Sequence, residues 1–126
     1  MKKLIIAFII LFGSAYPTQA QQLQKPVLEI ADGQDWDTCS FGEVANLNPA
    51  GDNFLAVRSG PGTNYEMIDK IRTGEHVWIF NNEGSWMGVV YGDKNIDCPP
   101  VKRTREYQGP GKKGWVFEKY IRQIAG

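Results

Sequence analysis

The chain has 126 residues, and its basic and acidic side chains balance at 14 each. That length is enough for one domain with a modest core, and the even charge argues against a nucleic-acid-binding protein, which would normally be basic. One histidine and two cysteines cannot complete a closed zinc site without carboxylates. We therefore predict one domain that binds no nucleic acid, no metal and no cofactor.

The first twenty residues have the layout of a secretory signal peptide. Lys2 and Lys3 precede the apolar run LIIAFIILF, and the small residues Thr18 and Ala20 precede the predicted cleavage point. The run is short for a bilayer span, although an uncleaved anchor is the alternative. Loss of the two lysines would leave a net charge near −2. We expect a signal peptide over 1–20, a flexible lead-in over 21–26 and one periplasmic or secreted domain over 27–126, with no membrane span after cleavage.

The two cysteines lie in segments of opposite charge. Residues 26–57, around Cys39, contain no lysine or arginine, whereas residues 101–113, just after Cys98, contain five bases and one acid. Two cysteines in an exported chain most simply form a disulfide, so we predict the bridge Cys39–Cys98. The opposite charges are expected to neutralise each other within the fold, and an external polyanion site is the alternative.

Short runs rich in β-branched and aromatic residues, separated by turn residues, predict an all-β fold. The runs are VLEI, FGEVANL, FLAV, HVWIF, WMGVVY and GWVF, with hairpin turns expected at NPAGDN and NNEGS. A helical turn is expected only at EKYIRQI, near the end of the chain. Residues 92–113 lack a strand pattern, and so long a loop in a small domain is often functional.

The stretch VRSGPGTNYEMI, residues 57–68, places a Gly-Pro-Gly bend directly after a strand. Leu55 and Val57 alternate with Ala56 and Arg58, as in a half-buried strand. Neither Gly-Lys-Ser/Thr nor a helical pattern follows the bend, so it is not a phosphate-binding loop. We expect Arg58 to pack its stem on the strand and to donate hydrogen bonds to loop carbonyls, rather than to contact a ligand.

A series of motifs continues from this bend to the end of the chain, in an order and spacing that resemble the bacterial SH3 domain. The matching positions are Val57 to Gly62, Tyr65, Met67, Ile68, Gly74, Val77, Gly84, Trp86, Gly114, Trp115, Val116, Tyr120 and Ile121. The resemblance implies a small SH3-like β-barrel. This chain would add a long insertion in the last hairpin, residues 92–113, and an extra N-terminal strand segment.

The resemblance also implies a binding module for peptide or peptidoglycan at the cell envelope. We expect the chain to be a monomer. Aromatic side chains at loop ends offer large contact areas at modest entropic cost, so Tyr65, Trp86 and Tyr120 are the predicted ligand platform. Each of the three has a structural role as its alternative, whereas Trp115 is expected in the core. A possible secondary surface lies on the basic insertion, formed by Lys102, Arg103, Arg105 and Tyr107.

Two further functions stay open. The first is a small periplasmic interaction or inhibitor protein, which would contact an envelope protein through the disulfide-tethered insertion. The second is a cysteine-dependent cell-wall hydrolase, because DTCSFG faintly resembles the start of cell-wall cysteine peptidases. Such chemistry needs a free thiol at Cys39 with a base such as His76, and a disulfide would remove that thiol. We therefore expect no enzymatic activity.

Overall fold

A computed structural model describes residues 23–33 and 35–125, so the predicted signal peptide lies outside the described residues. Within these ranges the chain forms nine β-strands and one 3₁₀ helix but no α-helix, which confirms the all-β prediction. None of the described segments is a helix long and apolar enough to cross a membrane. The elements are β1 (Leu28–Glu29), β2 (Ser40–Val44), β3 (Leu55–Arg58), β4 (Met67–Ile71), β5 (His76–Glu83), β6 (Trp86–Tyr91), β7 (Arg105–Glu106), β8 (Lys112–Phe117), the 3₁₀ helix (Glu118–Tyr120) and β9 (Ile121–Ala125).

Seven of the strands form one antiparallel sheet, in the order β4-β3-β8-β6-β5-β2-β9. The remaining two, β1 and β7, pair with each other as a separate two-stranded sheet. In the described part of the chain no ladder joins the edge strands β4 and β9, so the large sheet is not a closed barrel.

The inner face of the large sheet carries the main core. On β3, Leu55 and Val57 point inward and are at most 4% exposed, as their alternation predicts. All seven strands contribute to the same cluster, so the sheet must curl around it. Its buried members are Val44, Leu55, Val57, Ile71, Val77, Ile79, Met87, Val89, Tyr91, Val116 and Ile121.

The outer face carries a second core, which explains why β6 is buried on both sides. Trp115 is fully buried there, as expected, and its indole nitrogen donates to the Lys25 carbonyl over 2.9 Å. Val27, Phe80, Val90 and Tyr107 complete the buried cluster. The residues before β1 and the insertion therefore cover one part of the outer face.

The predicted flexible lead-in is held against the sheet where it is described. The backbone N–H groups of Gln24 and Lys25 both donate to the Ser59 carbonyl, at 2.9 and 3.1 Å. Leu23 packs against the outer-face core. Residues 23–25 are thus part of the folded domain rather than a loose leader.

A disulfide joins the insertion to the N-terminal segment. Cys39 and Cys98 are bonded, which confirms the predicted bridge, and the Thr38 N–H donates to the Cys98 carbonyl over 2.9 Å. In the ladder between β1 and β7, Glu29 lies opposite Arg105, and their side chains form a 2.7 Å ion pair. The acidic and basic runs therefore meet within the fold at this pair, as expected.

A buried tyrosine fastens the edge strand β4 to the core. Tyr91 on β6 is 3% exposed, and its hydroxyl donates to Asp69 Oδ2 over 2.8 Å. Burial and the neighbouring carboxylate raise the pKa of Tyr91 well above its ordinary value. Lys112 Nζ lies 3.8 Å from the same oxygen, so this carboxylate links three strands of the sheet.

Two local predictions differ from the structure, and a third agrees with it. The stretch EKYIRQI forms a 3₁₀ helix that continues directly into strand β9, rather than a longer helical turn. The NPAGDN turn connects β2 with β3, which are not neighbours in the sheet, so it is not a hairpin. The NNEGS hairpin is confirmed, because Glu83 pairs with Trp86 and Gly84 takes a φ of +61° in the intervening turn.

Candidate binding groove

The Gly-Pro-Gly bend, residues 59–62, is closed by its own backbone and by an arginine. The Ser59 N–H donates to the Glu66 carbonyl over 2.9 Å. Arg58 Nη1 donates to the Tyr65 carbonyl over 3.0 Å. The expected hydrogen bond from Arg58 to a loop carbonyl is confirmed.

Tyr65 covers this bend. A Cβ atom built on Gly60 would lie 2.4 Å from Tyr65 Cδ1, so the ring rests directly against the glycine backbone. Only glycine leaves room for that contact. The tyrosine is half-buried and is not among the residues that line the large groove described below. Of the three predicted platform residues, Trp86 and Tyr120 line this groove and Tyr65 does not.

Trp86 and Tyr120 do lie together, and Phe117 connects them. In the ladder between β6 and β8, Trp86 lies opposite Phe117, with ring centroids 5.4 Å apart in an edge-to-face arrangement. The 3₁₀ helix then brings the Tyr120 ring to 6.2 Å from the Phe117 ring. These three half-buried rings, which we call the aromatic wall, are within the range of favourable aromatic contacts.

The aromatic wall lines a groove of about 780 Å³, which we call the binding groove. The loop before β3 contributes Phe54, and the turn after the bend contributes residues 62–64. Met67, 41% exposed, comes from β4. The lining is thus apolar and aromatic with a few amide side chains, which is the usual character of a ligand site.

The location of the groove follows from side-chain alternation. Ala56 and Arg58 alternate with the inward-pointing residues of β3, so they belong to the outer face, and both line the groove. On β8, Phe117 lies two residues after the buried Trp115, on the same face. The insertion and the residues before β1 cover the outer face around Trp115, whereas the adjoining part around Phe117 stays open as the groove.

Two lysines lie against aromatic rings that line the groove. Lys70 Nζ is 4.6 Å from the centre of the Phe54 ring. Lys119 Nζ is 5.7 Å from the centre of the Tyr120 ring. Both distances allow attraction between the ammonium group and the ring face, so the cations are held beside the groove.

The predicted secondary surface is only partly exposed. Lys102 and Arg103 are exposed, and Arg105 is engaged by Glu29. Tyr107 is 2% exposed, and its hydroxyl donates to the Pro110 carbonyl over 2.7 Å. Burial raises the pKa of Tyr107. The expectation that Tyr107 belongs to the surface is therefore wrong, because it is a residue of the insertion that enters the outer-face core.

His76 and Cys39, which a cysteine-dependent hydrolase would pair, are each engaged in other contacts. His76 is exposed, stacks on Phe41 with ring centroids 5.0 Å apart and has Nε2 3.8 Å from Glu43 Oε1. Cys39 is in the disulfide and presents no thiol. No group of three or more histidine, cysteine or acidic side chains positioned to hold a metal ion occurs among residues 23–33 and 35–125.

Sequence reasoning missed Phe54, Met67 and Phe117 as groove residues. A signal existed for Phe117, because alternation from Trp115 puts it on the same face as the predicted core tryptophan. Phe54 and Met67 belong to a loop and to an edge strand whose neighbours cannot be read from a linear pattern. Comparisons with protein-family models, with curated proteins and with solved structures found no match to this chain.

Proposed function

We propose that this chain is an exported, non-catalytic binding module of the bacterial SH3 type, with the binding groove as its site. It would act as a monomer in the periplasm or outside the cell and recognise peptide or peptidoglycan components of the envelope. A seven-stranded sheet curled around one inner core supports an SH3-like barrel that is open between β4 and β9. The disulfide Cys39–Cys98 supports an oxidising compartment.

The observation that carries the proposal is the aromatic wall. Trp86, Phe117 and Tyr120 come from three separate elements, yet they form one continuous half-buried surface beside a groove. Contiguous apolar surface that stays accessible usually marks an interaction site. An aromatic wall of this kind suits an extended peptide, whose apolar side chains can pack against the rings.

The amide side chains beside the groove add polar recognition. Asn64 lines it after the bend, and Asn53 lines it before β3 with a φ of +62°. A small number of fixed polar groups in an apolar site typically orients the ligand. The groove thus combines contact area with groups that can pair with peptide N–H and C=O groups.

Binding to purified sacculi by the chain lacking residues 1–20 tests this function. Trp86→Ala should weaken retention by about 1 to 3 kcal/mol, in the range of interface hot spots. Trp36→Ala is the matched control, because Trp36 is 66% exposed and does not line the groove. Equal retention of both variants and the parent would count against the groove as the site.

A second function is favoured by the exposed bases of the insertion. Lys102 and Arg103 have no ion-pair partner within the described ranges, and the disulfide fixes their segment to the N-terminal part of the domain. This surface would suit an acidic patch on an envelope protein, which the chain would bind or inhibit. Co-purification with one envelope protein, abolished by Lys102→Gln together with Arg103→Gln, would support this function over the first.

A further inference from the structure

We infer that the occupant of the binding groove is an extended peptide segment that carries carboxylates next to apolar side chains. This inference rests on the proposed function, because it specifies the ligand of the same groove. It is carried by four cationic side chains that contact rings or backbone carbonyls at or beside the groove.

The first cation is placed by strand register. In the ladder between β3 and β4, Lys70 lies directly opposite Ala56, a residue that lines the groove. Directly opposite residues of an antiparallel pair project to the same face, so Lys70 belongs to the groove side of the sheet. Its ammonium group is held 4.6 Å above the Phe54 ring.

Three further cations lie around the same groove. Lys119 is held beside the Tyr120 ring. The Arg58 side chain lines the groove while donating to the Tyr65 carbonyl. Arg72 Nη1 donates to the carbonyl of Asn53, another lining residue, over 3.1 Å. Each cation is therefore positioned by contact with a ring or a carbonyl.

Among the described residues, none of these four cations is held by a close ion pair. In the described part of the chain the ion pairs involve His76, Arg105, Lys112 and Arg122, and none of the four groove cations. The nearest carboxylate in sequence to Lys70 is Asp69, and its Oδ2 is occupied by Tyr91 and Lys112. Because these side chains are already held in place, pairing with ligand carboxylates would cost little side-chain conformational entropy.

The two lysines held against lining rings indicate where carboxylates of a ligand would lie. Asp52 is the single acid among the described residues that line the groove. Lys119 lies beside the Tyr120 ring of the aromatic wall, and Lys70 lies over the Phe54 ring of the loop before β3. A ligand that lays apolar side chains on the rings would bring flanking carboxylates to the two lysines. An acidic, partly apolar peptide fits this pattern better than a neutral or basic one.

Titration calorimetry with three short blocked peptides tests the inference. In every peptide, leucine and proline residues alternate with a polar residue. The polar residue is glutamate in the first peptide, glutamine in the second and lysine in the third. We expect the glutamate peptide to bind tightest and to lose affinity as salt rises, since exposed pairs are screened. Removal of each groove lysine should weaken its binding about 1.5- to 5-fold, the effect of losing one exposed ion pair.

A matched pair of double variants separates this groove from the insertion. Lys70→Gln with Lys119→Gln removes two charges at the groove, and Lys102→Gln with Arg103→Gln removes two at the insertion. All four side chains are exposed, and thermal unfolding should show that both variants fold. The inference expects weaker glutamate-peptide binding in the first variant and unchanged binding in the second.

The failures of the inference and of the proposed function are distinguishable. Glutamate and glutamine peptides of equal affinity, both sensitive to Trp86→Ala, would overturn the carboxylate inference and keep the groove as a binding site. An equal loss in the two double variants would also overturn it, because the effect would then come from net charge. If no peptide binds and Trp86→Ala leaves sacculus retention unchanged, both the carboxylate inference and the proposed function are overturned.

Discussion

Replacing Gly60 with alanine is expected to destabilise the protein by pushing Tyr65 off the bend. The new Cβ would lie 2.4 Å from Tyr65 Cδ1 and 2.5 Å from Cε1, separations that real Cβ atoms essentially never show. Overpacking of this kind costs about 1 to 3 kcal/mol. Movement of Tyr65 also disturbs the carbonyl that accepts from Arg58. We expect the free energy of unfolding to fall by about 2 to 4 kcal/mol.

Urea denaturation followed by circular dichroism measures this loss. Gly51→Ala is the control, because a Cβ there would meet no atom closer than 3.5 Å, and its effect should stay within about 0.5 kcal/mol. A double-mutant cycle isolates the cause. In a Tyr65→Ala background, Gly60→Ala should cost little, which gives a coupling energy of about 1 to 3 kcal/mol. The same cost in both backgrounds would refute the idea that Tyr65 covers the bend.

Two further predictions concern contacts that stabilise the fold, the disulfide and the Tyr91 hydroxyl. Reduction of Cys39–Cys98, whose sequence separation is 59, should lower the free energy of unfolding by roughly 4 kcal/mol, and an unchanged urea midpoint in reductant would contradict this. Because the pKa of Tyr91 is raised in the folded state, its stabilising contribution should be complete below about pH 10 and decline above it as the unfolded chain ionises. Tyr91→Phe should lose about 0.5 to 3 kcal/mol at pH 7 and flatten that alkaline decline, whereas an equally steep decline in the variant would argue against Tyr91 as its source.

The strands that the sequence predicts best are those buried on at least one face along their length. Strands β3, β5 and β6 lie in the interior of the sheet. Their sequences therefore show the expected signals: Leu55 and Val57 alternate with less buried residues, and HVWIF and WMGVVY are rich in β-forming residues. Strand β4 was missed because its sequence, MIDKI, belongs to an edge and buries only Ile71. Strand β9 likewise buries only Ile121, so its sequence lacks a strand alternation and was predicted as part of a helical turn.

The candidate site was predictable in part. Trp86 and Tyr120 were expected at a ligand surface, and the structure brings them to one groove. Their connection through Phe117 depends on the register between β6 and β8, which no local pattern specifies. Tyr65 follows the bend in sequence, but the close approach to Gly60 that holds it there is a three-dimensional contact.

The insertion was the least predictable part. Residues 92–113 lack a strand period because β7 has only two residues and both are exposed. Tyr107 therefore resembled an aromatic of a polar loop, whereas it follows β7 directly and turns into the outer-face core. The disulfide was predictable because export and opposite charge pointed to the same pair of segments.

Nuclear magnetic resonance with soluble peptidoglycan fragments tests the central claim, that the aromatic wall is the binding surface, most directly. Titration into the isotope-labelled chain lacking residues 1–20 reports the signal of each tryptophan indole separately. Trp86 lines the groove, whereas Trp36 is exposed and lies outside it. We predict saturable shifts of the Trp86 indole and of the Phe117 and Tyr120 rings, with Trp36 unchanged. Shifts confined to Lys102, Arg103 and their neighbours, without shifts from the aromatic wall, would contradict the claim that the wall is the binding surface.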